Sequence, residues 1–155
     1  MKKYFLMAVA LFVGAVTFTS CGDDEEDELQ KAAEAIINGE NSVSMNENGD
    51  VMTLTINYAN VYVETHKATF ESASDSAMVK SYIMTQTYAN KTLADAAEQA
   101  YKEVDDEEEV ELSYKRSGNT FTFDLTEEFK RYTKSDIRVY FNIYKENAEK
   151  AFGKE

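Results

Sequence analysis

The feature that most restricts the fold is an Asn48-Gly49 pair between two runs of alternating side chains. Asn-Gly between alternating apolar residues is the strongest short-range signal for a β-hairpin. A two-residue turn there places Met45 opposite Met52 and directs Thr53 and Thr55 to the other face. The sequence therefore predicts two antiparallel strands with one apolar face.

The same alternation continues beyond Tyr58, where a second turn near Ala59-Asn60 is expected. A two-residue turn there sets Val61 opposite Tyr58 and Val63 opposite Ile56. Residues 78–88 fit either an alternating strand or a helix. Their β-branched and aromatic content and their Thr-rich end favour the strand.

Three amphipathic helices and one further hairpin complete the pattern. The first helix has a capping box at 27–30 and ends at Gly39, which suits a left-handed stop. The others span roughly 92–104 and 135–151, where Val139 and Ile143 widen the apolar stripe so that it covers more than one flank. A hairpin through Ser117-Gly118 pairs Tyr114 with Phe121.

These elements predict an α+β domain. Its antiparallel meander sheet plus hairpin is covered on one face by three amphipathic helices. We expect one core that contains Val43, Leu54, Ile56, Leu112, Phe121, Phe123, Phe141 and Tyr144.

The first 28 residues predict export. Met1-Lys2-Lys3 precedes an uncharged, mostly apolar run that ends in small residues before Cys21, the only cysteine. This segment resembles the type II signal peptide of bacterial lipoproteins, which implies cleavage after residue 20 and lipidation of the Cys21 thiol. The expected organisation is a signal peptide at 1–20, a lipidated acidic tether at 21–28 and one globular domain at 29–155.

The acidic run after the cysteine resembles the signal that some Gram-negative bacteria use to display lipoproteins on the cell surface. It consists of Asp23, Asp24, Glu25, Glu26, Asp27 and Glu28. The resemblance implies a lipid-anchored protein on the outer face of the outer membrane, and the alternative is its periplasmic face. Two or three acyl chains would give stable anchoring.

Charge and residue types narrow the partners. The formal net charge of −13 becomes −15 once Lys2 and Lys3 leave with the signal, so nucleic acid is excluded as a partner. No phosphate loop, paired cysteines or ligand cluster indicates a cofactor or metal. Residues 44–55 echo a calcium loop, but Thr55 stands where calcium needs a glutamate, so a hairpin is favoured. Six carboxylates within 105–111 are expected to be a solvated connection.

One group of residues qualifies as a candidate ligand face. In the predicted register Tyr62 points outward beside Glu64 and His66, the single histidine. No catalytic set accompanies them, because a lone histidine makes neither a zinc site nor an announced triad. We therefore expect a non-enzymatic module that binds a protein, peptide or glycan. The alternative is a small carboxylate-dependent hydrolase of glycans or peptides, for which an acidic pair could be found anywhere among 29 acidic residues.

Overall fold

A computed structural model of the chain describes residues 23–108 and 113–153, with side chains over 27–102 and 113–153. Within these residues the chain forms four helices and six strands in succession. They are α1 (Asp23–Asn38), β1 (Ser42–Asn48), β2 (Val51–Tyr58), β3 (Tyr62–Phe70), β4 (Val79–Tyr88), α2 (Lys91–Glu108), β5 (Lys115–Ser117), β6 (Thr120–Asp124), α3 (Thr126–Phe129) and α4 (Lys134–Ala151).

All six strands form one antiparallel sheet in the order β1-β2-β3-β4-β6-β5. Burial alternates along the central strands, as period-two geometry requires when one face is covered. The α+β prediction is confirmed, as is the strand over most of 78–88. The prediction of a connection within 105–111 is wrong over residues 105–108, which extend α2, and residues 109–111 lie outside the described part of the chain.

Two hairpins turn one residue later than predicted. Gly49 and Gly118 both have φ of +59° and occupy the first turn position, while the second turn residue has no positive φ. This is the type II′ pattern, which wants glycine first. Met45 therefore pairs with Leu54 rather than Met52. Each residue therefore pairs with a residue two positions away from the predicted partner. Because side chains alternate with a period of two, each side chain keeps its predicted face.

The turn between β2 and β3 is one residue longer than predicted, and this difference changes the face of the sheet on which the side chains of β3 lie. Ala59 and Asn60 have φ of 51° and 60°, and the Val61 amide donates to the Tyr58 carbonyl at 2.8 Å. Val61 is an extra residue, so Tyr58 pairs with Tyr62. Because side chains alternate, this slip turns the whole of β3 over. The predicted pairing of Val61 and Val63 is wrong.

The helix boundaries follow their caps. Asn90 caps α2 by accepting from the Leu93 amide at 3.0 Å, and Thr133 and Asp136 form a capping box at the start of α4. Helix α1 begins at Asp23, within the acidic run that we predicted to be a tether.

Two details of the helix predictions are wrong. Gly39 does not have a positive φ. It is required because an added Cβ would lie 2.1 Å from the Ala35 carbonyl oxygen. On α4, Val139 and Ile143 remain 57% and 53% exposed and cover no second flank, because the helix buries only the stripe that contains Ile137 and Phe141.

The predicted core is largely confirmed. Leu54, Ile56, Phe121, Phe123, Phe141 and Tyr144 are buried. Val43 is partly buried against this cluster on the edge strand, and Leu112 lies outside the described residues. The core thus lies between the covered sheet face and the helices, which fixes where any accessible site can be.

Candidate functional site

The predicted ligand face lies inside the protein. Tyr62, Glu64 and His66 are 1%, 0% and 2% exposed. They belong to the covered face of β3 because of the one-residue difference in the turn before it. The prediction that they point outward is wrong, although the structure does bring Glu64 and His66 together.

Glu64 is the centre of a buried hydrogen-bond network. His66 Nε2 lies 2.7 Å from Glu64 Oε1, and the Tyr144 hydroxyl donates to the same oxygen at 2.8 Å. Gln86 Nε2 donates to Oε2 at 2.7 Å. Strands β3 and β4 and helix α4 therefore each supply a partner, so both carboxylate oxygens are satisfied away from water.

The network continues on both sides of Glu64. His66 Nδ1 lies 2.9 Å from the Tyr82 hydroxyl. On the other side the Tyr101 hydroxyl donates to Gln86 Oε1, and the Tyr88 and Tyr101 hydroxyls are 3.2 Å apart. Tyrosine supplies apolar area together with a hydroxyl that can reach a partner.

The acidity of these groups follows from their surroundings. Burial alone would raise the pKa of Glu64, but the hydrogen bond and charge of His66 and the bonds from Tyr144 and Gln86 together lower it. Burial raises the pKa of Tyr144, and the negative charge of Glu64 raises it further. Burial likewise raises the pKa of Tyr140 to about 12. At neutral pH the network therefore holds a carboxylate and neutral phenols.

The Glu64 network joins strands β3 and β4 to helix α4 inside the core. A general acid needs a raised pKa and access to substrate, and Glu64 has neither. In the described part of the chain, each carboxyl group whose pKa departs clearly from its usual value has a lowered pKa, namely Glu47, Glu64, Asp75, Asp95, Asp124 and Asp136.

A second polar cluster joins the tip of the first hairpin to α4. Lys134 is buried, and its Nζ donates to the carbonyls of Gly49 at 2.7 Å and Ala73 at 3.0 Å. Glu47 Oε1 lies 2.8 Å from the same Nζ. Arg138 donates to both oxygens of Glu47, at 3.0 and 2.8 Å. Hydrogen bonds from Arg138 and then Lys134 lower the pKa of Glu47 to about 2. Lys134 and Arg138 are both paired with Glu47, so we interpret the cluster as structural.

A surface depression of about 240 Å³ lies beside α3. It is lined by Glu127, Glu128, Phe129, Arg131 and Tyr132. Glu127 is ion-paired with Lys130. The two carboxylates come from consecutive residues of one helical turn, whereas glycoside hydrolysis needs carboxylates on opposite sides of the scissile bond.

Between residues 27 and 102 and between 113 and 153, no three His, Asp or Glu side chains are grouped to hold a metal ion. No described helix is long and apolar enough to cross a membrane. Residues 44–55, which echo a calcium loop in sequence, lie within the β1–β2 hairpin.

The uncovered side of the sheet, here called the open face, is the accessible surface on which side chains of similar type recur most regularly. Register and burial assign the following residues to it: Ser42, Ser44, Asn46, Asn48, Val51, Thr53, Thr55, Asn57, Val63, Thr65, Lys67, Thr69, Ser81, Ile83, Thr85, Thr87, Lys115, Ser117, Thr120, Thr122 and Asp124. Eight are threonine, none is aromatic, and all are at least partly exposed. None of these threonines was predicted from the sequence as a site residue, although the alternating threonines of β2 and β4 are a visible signal.

One line of residues crosses the open face at right angles to the strands. Directly opposed pairs run from Ser44 to Thr55, Thr65, Thr85 and Thr122. We call these five residues the hydroxyl row. Neighbouring strands lie roughly 4.8 Å apart, so the row presents a hydroxyl at that regular interval.

Comparisons with known proteins add no identity. No family model matches the chain, and no curated protein or solved structure matches it. Cys21 lies outside the described residues, and of the acidic run only the side chains of Asp27 and Glu28 are described, both exposed. The predicted lipidation and export signals therefore stay predictions.

Proposed function

We propose that this protein is a lipid-anchored lipoprotein of the outer membrane, displayed at the cell surface, that binds a ligand without catalysis through the open face of its sheet. The anchoring part rests on Cys21 and the signal-like residues before it. The acidic run from Asp23 to Glu28 supports outward display.

The observation that carries the binding role is the uncovered sheet. Helices α1 to α4 contribute their buried residues to the same core as the covered face, while the open face keeps every residue partly exposed. A six-stranded sheet with one free face is a broad, rigid platform, and rigid platforms lower the entropy that binding must overcome.

A catalytic role receives less support from the same residues. Glu64 and His66, the pair best suited to acid–base chemistry, are enclosed with all their polar atoms engaged. A hydrolase would need a carboxyl group with a raised pKa beside an open cleft. The alternative of a small hydrolase is kept as an outcome of the test below.

Anchoring is tested by metabolic labelling with radioactive palmitate. The native chain should be labelled, and Cys21→Ala should lose the label and remain uncleaved or become soluble. Met7→Leu, within the apolar run, is a control that keeps both the residues before the cleavage site and the thiol. Label that persists in Cys21→Ala would refute the anchoring proposal.

Surface display is tested by adding protease to intact cells. The native domain should be digested, and a chain with neutral residues at 23–28 should be protected. If the native domain is protected while lysed cells permit digestion, the protein faces the periplasm.

Binding is tested by screening the full-length chain in neutral detergent against glycans, basic peptides and envelope proteins. A binder lost on substitution of the open face supports the proposal. Turnover of a glycosidic, peptide or ester substrate, abolished by a single carboxylate substitution, would establish the hydrolase instead.

A further inference from the structure

Carboxylates are scarce on the open face. The chain has 29 acidic residues in 155. The open face has only Asp124, at the end of β6, where its carboxylate accepts from the Thr126 amide at 3.1 Å. Lys67 and Lys115 are its only cations. A strongly acidic protein thus presents one broad surface that is almost neutral and rich in hydroxyls.

The hydroxyl row is free to bind. Within the described residues, none of its five side chains makes a hydrogen bond, whereas Thr87 and Thr120 in the neighbouring line bond to each other at 3.0 Å. Each free hydroxyl offers one donor and two acceptor positions. A ligand that also carries hydroxyls at regular intervals can use both.

The composition of the open face disfavours the other occupants. Tight protein interfaces depend on aromatic and arginine anchors, and the open face has none. A polyanion is repelled by the net charge of −13. A cationic peptide would find one carboxylate against two lysines, and a second copy of the chain would bring a face with the same excess of lysines.

Resting on the binding role proposed above, we infer that the open face binds an uncharged, extended polysaccharide laid along the hydroxyl row. Strands repeat at roughly 4.8 Å, close to the repeat of an extended pyranose chain, so a polysaccharide that follows the twist of the sheet can place successive sugars on successive strands. Threonine methyl groups contact the sugar C–H surface while the hydroxyls exchange hydrogen bonds. No carboxylate has to lose its water, and many anchored copies on one cell supply avidity.

The test uses the full-length chain in neutral detergent and insoluble fibres of uncharged β-linked glucan. Fibres of the same glucan carrying carboxymethyl groups report on charge. The triple variant Thr55→Val, Thr65→Val and Thr85→Val removes three hydroxyls and keeps shape and strand propensity. The matched control, Thr53→Val with Thr69→Val, removes hydroxyls of the same face outside the row. Thr65→Glu instead adds a carboxylate, and circular dichroism verifies the fold of each variant.

We expect the native chain to bind neutral fibres with little change between low and high salt. The affinity of the triple variant for the neutral fibres should be lower by a factor of about ten or more, because each lost hydrogen bond weakens the contact. Thr65→Glu should also lose binding, and the off-row control should retain it.

Three results would overturn this inference. Binding confined to carboxymethyl fibres and lost in Lys67→Ala would identify an anionic ligand. A concentration-dependent dimer abolished by the triple variant would identify a second copy as the occupant. A defined protein or peptide that binds the open face, with no retention on glucan, would refute the polysaccharide and leave the binding role intact. If no ligand of any class binds the open face, both proposals fail.

Discussion

Truncating Glu64 should be among the most damaging single substitutions in this protein. Glu64→Ala removes the acceptor for three buried groups, His66, Gln86 and Tyr144, which lie 2.7, 2.7 and 2.8 Å away. An unsatisfied buried polar group costs roughly 1–3 kcal/mol, and Glu64→Ala leaves three such groups without their acceptor. We expect the free energy of unfolding to fall by about 4–6 kcal/mol, a large part of the 5–15 kcal/mol typical of a domain.

The measurement is urea unfolding followed by circular dichroism and by tyrosine fluorescence, because the chain has ten tyrosines and no tryptophan. The matched control is Glu71→Ala, which removes an exposed carboxylate from the loop after β3 and should change stability by less than about 0.5 kcal/mol. Similar losses for both variants would show that the hydrogen bonds around Glu64 contribute little, and the assignment of a central role to this network would be wrong.

Three further predictions concern the register, a close backbone contact and pH. Phe123→Ala should cost about 3–5 kcal/mol in the same urea assay, and Thr122→Ala, on the open face, should cost little; equal costs would contradict the β6 register. Gly39→Ala should lower stability by roughly 1–3 kcal/mol because its Cβ would lie 2.1 Å from the carbonyl oxygen of Ala35; an unchanged unfolding midpoint would contradict this contact. Because the folded state lowers the pKa of Glu64 from 4.5, its stabilising contribution is present above that pH and is lost as pH falls through the lower folded value. Between pH 7 and pH 3 the native chain should therefore lose more stability than Glu64→Gln, and parallel losses would contradict the lowered pKa.

Periodicity predicted the layers of this fold well because each element has one buried side. The alternating strands and the three amphipathic helices follow from that single constraint. The pairing of residues across the hairpins was harder to predict. The sequence Asn48-Gly49-Asp50 allows two different two-residue turns, Asn48-Gly49 with glycine second and Gly49-Asp50 with glycine first. The type II′ frame, with Gly49 first, differs from the expected frame by one residue along the chain.

The buried network could not be predicted from local patterns. Glu64, His66 and Gln86 are polar residues at positions where a buried strand face usually carries apolar ones. Taken alone, such polar residues predict that this face of the strand is in contact with solvent. Their burial is stable only because Tyr144, 80 residues away in sequence, and β4 supply the missing partners. Such compensation depends on tertiary pairing, and a single strand carries no sign of it.

The two faces of β3 explain why the predicted ligand site and the proposed one differ. A turn one residue longer than expected moves Tyr62, Glu64 and His66 into the core, and the same step brings Thr65 and Lys67 to the open face. With the predicted turn, the helices would have had to cover Thr65 and Lys67, leaving a lysine buried without a partner. In the observed register the hydroxyl row is unbroken from β1 to β6, because Thr65 supplies its central position. Glu64 and His66, which the sequence indicated as part of a ligand site, thus stabilise the core. The threonines, which are also common strand-forming residues, supply the accessible hydroxyl groups.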